Sequence, residues 1–328
     1  MKNEKWLERV GALLLAVMGL ACLVCVLCLN LTGKNNLENS LNVKWFEFGF
    51  KNVKKEGTKE KQNGKKQVAA AVAGNKSQIY DREQLSDFSM FYQLFIVDED
   101  TYVNENEFDL AELAGRNLTL KQDNSKPQIL IYHSHSQEQF ADSSENGKSI
   151  VDVGEVLKEH LTARGYSVIH DTSVYDLVGG VLDRNRAYDF SRQGVLAILQ
   201  EHPSIEVIID LHRDGVREDM HLATEIDGKK TAKIMLFNGM SRLKSEGELD
   251  GIYNPYLTDN LALSLQIKLA AMKYYPDFCR ANYINAYKYN LDLRPRSLLI
   301  EAGAQTNTYE EEANAMEPLA ELLQVVLQ

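Results

Sequence analysis

The chain has 328 residues and a formal net charge of −11, which leaves room for one sizeable catalytic domain with accessory segments or for two small domains. The charge is uneven, because residues 1–77 hold 13 Lys and Arg against 6 Glu, whereas the remainder holds 23 basic against 41 acidic residues. A basic arm followed by an acidic domain argues against a nucleic-acid-binding protein, since the acidic part would not be steered towards an anionic polymer.

An uncharged run of 20 residues, 10–29, is long enough to cross a hydrocarbon core as a helix. Lys2, Lys5 and Arg9 precede it, so the positive-inside tendency places the N-terminus in the cytoplasm and the remainder outside. The run is longer than the core of a cleaved signal peptide and has no clear Ala-x-Ala end. Residues 1–32 are therefore predicted to be the cytoplasmic tail and transmembrane anchor of a single-pass membrane protein.

Three of the four cysteines, Cys22, Cys25 and Cys28, lie in this run, and Cys279 stands alone. No disulfide framework or Cys-x-x-Cys zinc site is therefore available in the part that follows. The clustered cysteines are expected to lie in lipid as small apolar side chains.

Residues 33–77 are predicted to be a flexible basic tether. Residues 51–66 contain seven Lys and two Glu without sustained periodicity, and such a composition cannot bury enough surface to order itself. The alternative is that these lysines contact anionic lipid or wall polymer. Residues 78–124 are predicted to form an N-terminal subregion or an edge addition to the main domain, with a strand over 88–97 and a short helix over 107–114.

From residue 125 onward, predicted strands and helices alternate. The strands span 128–133, 166–170, 205–211, 233–237 and 297–301, and the helices span 151–164, 189–201, 259–274 and 309–328. This alternation predicts that residues 125–328 form a single α/β catalytic domain with a mainly parallel, twisted sheet flanked by helices. In such sheets, functional sites form just beyond the carboxyl ends of the strands.

Histidine and glutamate residues fall at the ends of three predicted strands. His133 and His135 lie at the end of one strand, His212 follows another, and Glu301 ends a third. A catalytic zinc ion needs three protein ligands and an open position for water, and a carboxylate that is not a ligand then moves the proton to the leaving amine. We therefore predict a zinc hydrolase with His135 and His212 as ligands and Glu301 as the general acid/base.

The remaining ligand is left open by the sequence. Glu138 follows His135 by three positions and Glu145 follows it by ten, and either fits, depending on the turn. His170 ends a further predicted strand and is another candidate, although a structural loop histidine is the more ordinary interpretation of such a residue.

Other hydrolase and nucleotide-binding chemistries find little support. Ser134 has no Gly-x-Ser-x-Gly elbow around it, and Cys279 has no histidine near it in sequence. The chain contains no Walker A motif, dinucleotide-binding glycine fingerprint or kinase signature.

Four segments, taken in order, resemble the motifs of the stage II sporulation protein P family, the membrane-anchored peptidoglycan hydrolases of endospore-forming bacteria. They are residues 129–138, 168–171, 208–214 and 299–307. The resemblance covers about residues 85–328, and an N-terminal anchor with a tether is the layout of this family as well. The same segments are more distantly similar to zinc-dependent N-acetylmuramoyl-L-alanine amidases, which implies an amidase-like fold.

The amidase similarity assigns roles to particular residues. Glu301, Gly303 and Asn307 fit the amidase segment Glu-x-Gly-x-x-x-Asn, whose Glu is catalytic. His135 is the better counterpart of the first zinc-binding histidine, and His133 is the alternative. The resemblance thus implies a Zn²⁺ cofactor.

This sequence also departs from the amidases, because their Asp-Pro-Gly-His-Gly-Gly turn is absent. Glu138 belongs to the sporulation-protein motif and is favoured as the second ligand, whereas Glu145 lies closer to the amidase spacing. Arg280 resembles an arginine that precedes the last strand in the amidases. We predict that Arg213, Asp214 and Arg280 bind substrate or support the ligands, with a structural salt bridge as the alternative for each.

The resemblance implies cleavage of the amide between muramic acid and L-alanine, and the sporulation family is also associated with endopeptidase action on crosslinks. It implies remodelling of septal peptidoglycan during forespore engulfment, in concert with stage II sporulation proteins D, a lytic transglycosylase, and M, a membrane scaffold. The enzyme would then act outside the septal or engulfing membrane. The alternative is a catalytically idle wall-binding scaffold that recruits other hydrolases, against which the strand-end His and Glu residues argue.

Overall fold

The computed structural model describes residues 80–328, except 106 and 250. The predicted anchor (1–32) and tether (33–77) lie outside the described residues. Within the described part, none of the helices is long and apolar enough to cross a membrane. The helices are α1 (Arg82–Ser86), α2 (Phe91–Leu94), α3 (Leu110–Gly115), α4 (Ser143–Asn146), α5 (Ile150–Ala163), α6 (Arg184–Glu201), α7 (Leu257–Tyr274) and α8 (Tyr309–Leu327), with a 3₁₀ turn at Phe88–Met90.

Seven of the strands form one sheet. They are β1 (Phe95–Val97), β2 (Ile129–Tyr132), β3 (Val168–His170), β6 (Val207–Asp214), β9 (Ile234–Gly239), β12 (Asn282–Asn285) and β13 (Arg296–Ala304). Short hairpins are formed by β4 (Leu177–Val178) with β5 (Val181–Leu182), β7 (Ala223–Ile226) with β8 (Lys229–Ala232), and β10 (Arg242–Leu243) with β11 (Gly247–Glu248).

The order of the strands across the sheet is β1-β12-β9-β13-β6-β2-β3. All neighbouring pairs are parallel except β9 with β13, which run antiparallel. The sheet therefore has two parallel blocks, β1-β12-β9 and β13-β6-β2-β3, and the predicted mainly parallel α/β architecture is confirmed.

The two faces of the sheet are covered differently. Helices α5, α7 and α8 contribute to the large apolar core on one face, together with inward-facing strand residues such as Ile131, Ile209 and Ile300. Helix α6 packs on the opposite face, where Val195 and Leu199 join a smaller cluster beside β2 and β6. Fewer helices pack on this second face than on the first, which leaves room for a functional site there.

The structure differs from the prediction over residues 88–97, which were expected to form one strand. Most of this segment is helical, and only β1 (Phe95–Val97) is extended. The Asp87 carboxylate accepts a hydrogen bond from the Ser89 N–H, which starts a turn, and the rings of Phe91 and Phe95, four residues apart, stack with centroids 4.7 Å apart. Aromatic residues at this spacing fit a helical turn as well as a strand.

Gly303, the glycine of the Glu-x-Gly segment, has a φ of +57°, and a Cβ at this position would overlap the buried carboxyl group of Glu312. Replacing Gly303 by Ala should therefore lower the free energy of unfolding by about 2–4 kcal/mol, measured by urea denaturation. Gly115→Ala is the matched control, because no heavy atom lies within 4 Å of its Cβ position and its backbone is helical. Equal stability of the two variants would contradict this account of Gly303.

Candidate metal centre

The predicted site residues meet at the carboxyl ends of three adjacent parallel strands. In the ladder between β13 and β6, Glu301 lies opposite His212. On the other side of β6, Tyr132 lies opposite Asp210, so the segment that follows β2 emerges beside His212. The shared edge predicted from the strand ends is therefore present in the fold.

Three of the predicted ligands converge. His135, Glu138 and His212 each offer a ligand atom, and these atoms lie within 4.8 Å of one another. Glu138 is central, because its Oε1 lies 3.6 Å from His135 Nδ1 and its Oε2 lies 3.6 Å from His212 Nδ1. Two ligands at zinc-bond length in a tetrahedral site are about 3.4 Å apart, so the group fits a small divalent cation.

The imidazole of His212 is held by groups behind it. Its Nε2 lies 2.8 Å from Asp210 Oδ1 and 3.0 Å from Ser134 Oγ, and the Ser134 hydroxyl in turn donates to Asp210 Oδ2. This arrangement leaves Nδ1 directed at Glu138. Metal-binding histidines typically donate their other ring N–H to a carboxylate in this way, so Asp210 supplies an independent reason to regard His212 as a ligand.

Neither Asp210 nor Ser134 was assigned a supporting role from the sequence. The sequence does indicate that Asp210 lies beside His212, because the two residues are two positions apart on one strand and so point to the same face of the sheet. The sequence gives no such indication for Ser134, since its hydrogen bond to Asp210 depends on the conformation of the turn after β2.

Glu138 is fixed by the backbone as well as by the histidines. Its Oε2 accepts a hydrogen bond of 2.9 Å from the Arg213 N–H. Burial alone would raise the pKa of Glu138, but the charge of His212 and hydrogen bonds from His135 and His212 outweigh it and lower the pKa. Glu138 therefore stays ionised in this buried position, as a carboxylate ligand must.

Electrostatics around His212 favour a positive charge at the centre of the cluster. Burial lowers the pKa of His212, yet the charges of Asp210 and Glu138 prevail and raise it well above its ordinary value. Without metal, the imidazole is protonated between two carboxylates. A divalent cation would replace that proton, so the same field that charges His212 attracts the ion.

Glu301 stands next to this cluster as a half-buried residue whose Oε2 is buried and has no hydrogen-bond partner among the described residues. Burial raises the pKa of Glu301 to about 8, the charge of His212 opposes this, and the negative charge of Glu138 reinforces it. The metal-free chain therefore keeps a proton on Glu301 at neutral pH. His135 Nε2 is likewise buried without a partner in the part that the structure describes.

The other candidate ligands lie elsewhere. His133 Nδ1 donates to the Leu211 carbonyl at 2.7 Å, and its Nε2 lies 2.9 Å from His170 Nε2. His170 Nδ1 is 2.8 Å from Glu155 Oε2 on α5. Glu145 is exposed on α4. The structure thus brings together His135, Glu138 and His212 and leaves His133, His170 and Glu145 outside the group; the roles themselves remain predictions.

The three residues predicted to bind substrate or support the ligands lie around the same edge. Arg280 Nη1 forms an ion pair of 2.6 Å with Asp214 Oδ2, and Arg213 holds Glu138 through its backbone. Tyr188 of α6, which the sequence did not single out, places its ring 5.3 Å from that of His135.

Comparisons with known proteins give the following matches. A family model described as Stage II sporulation protein P (SpoIIP) matches residues 31–324. The Stage II sporulation protein P of Bacillus subtilis (strain 168) is 25% identical over 244 residues, and the match covers 66% of this chain and 58% of that protein. The chain thus spans little more than half the length of this curated relative.

Among solved structures, the CwlD amidase from Clostridioides difficile in complex with the GerS lipoprotein is 13% identical, with a TM-score of 0.40 and coverage of 61% of this chain and 96% of that chain. The N-acetylmuramoyl-L-alanine amidase AmiC2 of Nostoc punctiforme is 13% identical, with a TM-score of 0.37 and coverage of 62% and 97%.

Proposed function

The chain belongs to the stage II sporulation protein P family, and on this premise we propose that it is a zinc-dependent peptidoglycan hydrolase that cleaves the amide between muramic acid and L-alanine. The observation that carries the proposal is the convergence of His135, Glu138 and His212 within 4.8 Å, with Glu301 opposite His212 on the next strand. Endopeptidase action on stem-peptide crosslinks is the second activity that family membership suggests.

His135, Glu138 and His212 would hold the zinc ion, which when bound supplies a Lewis acid towards the scissile carbonyl and makes water more acidic. Glu301 accepts the proton of the attacking water as the new C–O bond forms. It then gives this proton to the departing amine nitrogen as the C–N bond breaks. Burial raises the pKa of Glu301 to about 8 in the metal-free chain, which suits the release of a proton to the amine in the second step. The first step needs the ionised carboxylate, which the positive charge of a bound zinc ion would favour.

The proposal extends to location and partners. The uncharged run over 10–29 anchors the chain, and the hydrolase acts outside the septal or engulfing membrane during forespore engulfment. Stage II sporulation proteins D and M are the proposed partners. Family membership supports these statements, together with the basic flank before the run.

The test is amide hydrolysis by the purified full chain in detergent. Released stem peptides should appear on incubation with peptidoglycan, EDTA should abolish their release, and added zinc should restore it. Release that survives both EDTA and Glu301→Gln would overturn the mechanism. A chain that holds no zinc and releases nothing, yet binds the wall, would favour the scaffold alternative.

Asp210→Asn tests the support behind His212. An amide of the same shape keeps the volume but can no longer accept firmly from His212 Nε2, so zinc affinity should fall about 10–100-fold. Competition with a chromogenic chelator measures this. Asp292→Asn, at a carboxylate that pairs with Arg192 instead, serves as the control and should leave zinc affinity unchanged.

A further inference from the structure

A row of tyrosine rings leads away from the candidate metal centre. Tyr188 lies 5.3 Å from His135 between ring centroids, Tyr289 lies 5.4 Å from Tyr188, and Tyr287 lies 6.3 Å from Tyr289. We call Tyr188, Tyr289 and Tyr287 the tyrosine row. It is contiguous with the site through His135, and the hydrolytic mechanism makes no use of it.

The backbone holds the row in an unusual conformation. Tyr289 and Asn290 have φ values of +50° and +58°, in the left-handed region that residues with a Cβ adopt at a cost. The Asn290 side-chain amide donates to the Tyr188 carbonyl at 2.9 Å and so ties the two segments together. The Tyr289 ring stands nearly perpendicular to Phe237 of β9, 4.9 Å away. Local strain that is kept in place by such contacts is found often at ligand sites.

The row is reachable from solvent. Tyr287 is 51% exposed. By strand register, Phe237 and Tyr283 stand on the face of the sheet that carries Glu301, and Ile96 on the same face is 53% exposed. No described helix covers Ile96 there, so a ligand can approach the row along this face.

The charged side chains beside the row are engaged with one another. Arg192 makes two hydrogen bonds, of 2.7 and 2.8 Å, to the Asp292 carboxylate, and Lys288 lies 3.1 Å from the same group. The Tyr283 hydroxyl donates to Asp98. The surface therefore offers rings and hydroxyl groups rather than free charge, and a charged ligand would lose hydration there without gaining a partner.

We propose that the tyrosine row is a carbohydrate subsite that binds the uncharged sugar rings of the glycan strand, while the amide to be cleaved lies at the metal centre. This deepens the proposed function and rests on it. Apolar sugar faces pack on aromatic rings, and tyrosine hydroxyls can bond their hydroxyl and acetamido groups. Stem peptides carry ionised carboxylates, for which the row has no unpaired cationic partner among Arg192 and Lys288.

The test uses the full chain in detergent and chitotetraose, a neutral oligomer of N-acetylglucosamine, as the probe in isothermal titration calorimetry. The chain should bind the probe, and Tyr287→Ala should weaken binding about three- to tenfold. Tyr287→Trp should retain it, since a ring remains. Tyr253→Ala is the matched control, because Tyr253 is 73% exposed and makes none of the ring contacts of the row.

Binding of chitotetraose should persist with EDTA, because the proposed contacts to the sugar rings do not involve the metal. The binding measurement can therefore succeed or fail independently of the hydrolysis measurement. With glycan-bearing fragments, Tyr287→Ala should raise KM and leave kcat unchanged. Failure of the chain to bind chitotetraose, equal affinity of Tyr287→Ala, or capture of a free stem tetrapeptide instead would each overturn the subsite while leaving the hydrolase proposal standing. Binding of chitotetraose without any release of stem peptides from peptidoglycan would contradict the hydrolase proposal and leave the subsite standing.

Discussion

Replacing Glu301 by Gln should slow amide hydrolysis about 10²–10⁴-fold, while zinc content and the free energy of unfolding stay near the wild-type values. Gln keeps the shape of the side chain but can neither accept nor release the proton. Stability is spared because Glu301 Oε2 has no hydrogen-bond partner among the described residues, so the substitution breaks no bond at that atom. Initial rates of stem-peptide release, metal analysis and urea denaturation measure the three quantities.

Glu310→Gln is the matched control for this variant, because Glu310 is exposed at the start of α8 and should tolerate the change without loss of rate. Two results would contradict the assignment. Full activity of Glu301→Gln would place the proton carrier elsewhere, and loss of zinc from it would make Glu301 a ligand.

Replacing His212 by Ala should reduce hydrolysis to the background rate and leave the purified protein with little zinc. The same change should lower the free energy of unfolding of the metal-free protein by about 3–5 kcal/mol. Asp210 and Glu138 would remain buried after losing the protonated imidazole between them. Metal content by mass spectrometry and urea denaturation in the presence of EDTA separate the two effects.

His202→Ala provides the comparison for this second variant. His202 lies at the C-terminal end of α6, is only partly buried, and has Glu201 as its carboxylate neighbour at 3.7 Å. It should retain zinc, activity and most of the stability. A His212→Ala protein that still binds one equivalent of zinc would rule out His212 as a ligand.

The meeting of His135, His212 and Glu301 could be predicted from the sequence because it depends on a general property of parallel strands. Each residue follows or ends an apolar strand, and the ends of β2, β6 and β13 come together whenever these strands run in one direction. The family resemblance then favoured Glu138, which the structure places between the two histidines.

The choice between His133 and His135 could not be predicted in this way. The two residues are separated by one position in a turn, and their directions depend on what packs behind them. The ring of His133 fills the space over Gly154 of α5, where a Cβ would come within 2.6 Å of its Nε2. That space exists only once α5 is docked on the sheet.

The direction of one strand pair and the presence of one short strand could not be predicted from the sequence either. The antiparallel pairing of β9 with β13 is a long-range contact without a local signal. β12 is the four-residue segment Asn-Tyr-Ile-Asn, and because asparagine is uncommon in strands, its sequence is as typical of a loop as of a strand. The tyrosine row depends on β12, because its last two members, Tyr289 and Tyr287, follow this strand.

The position of β13 sets an order of assembly. Within the sheet it lies between β6 and β9, yet it follows every other strand of the sheet in the chain. During synthesis the strand groups β1-β12-β9 and β6-β2-β3 therefore have no strand between them until β13 emerges, and the same strand carries Glu301. A chain that ends before β13 lacks both the strand between β6 and β9 and the proposed proton carrier, so the proposed hydrolase activity would depend on β13 having been synthesised.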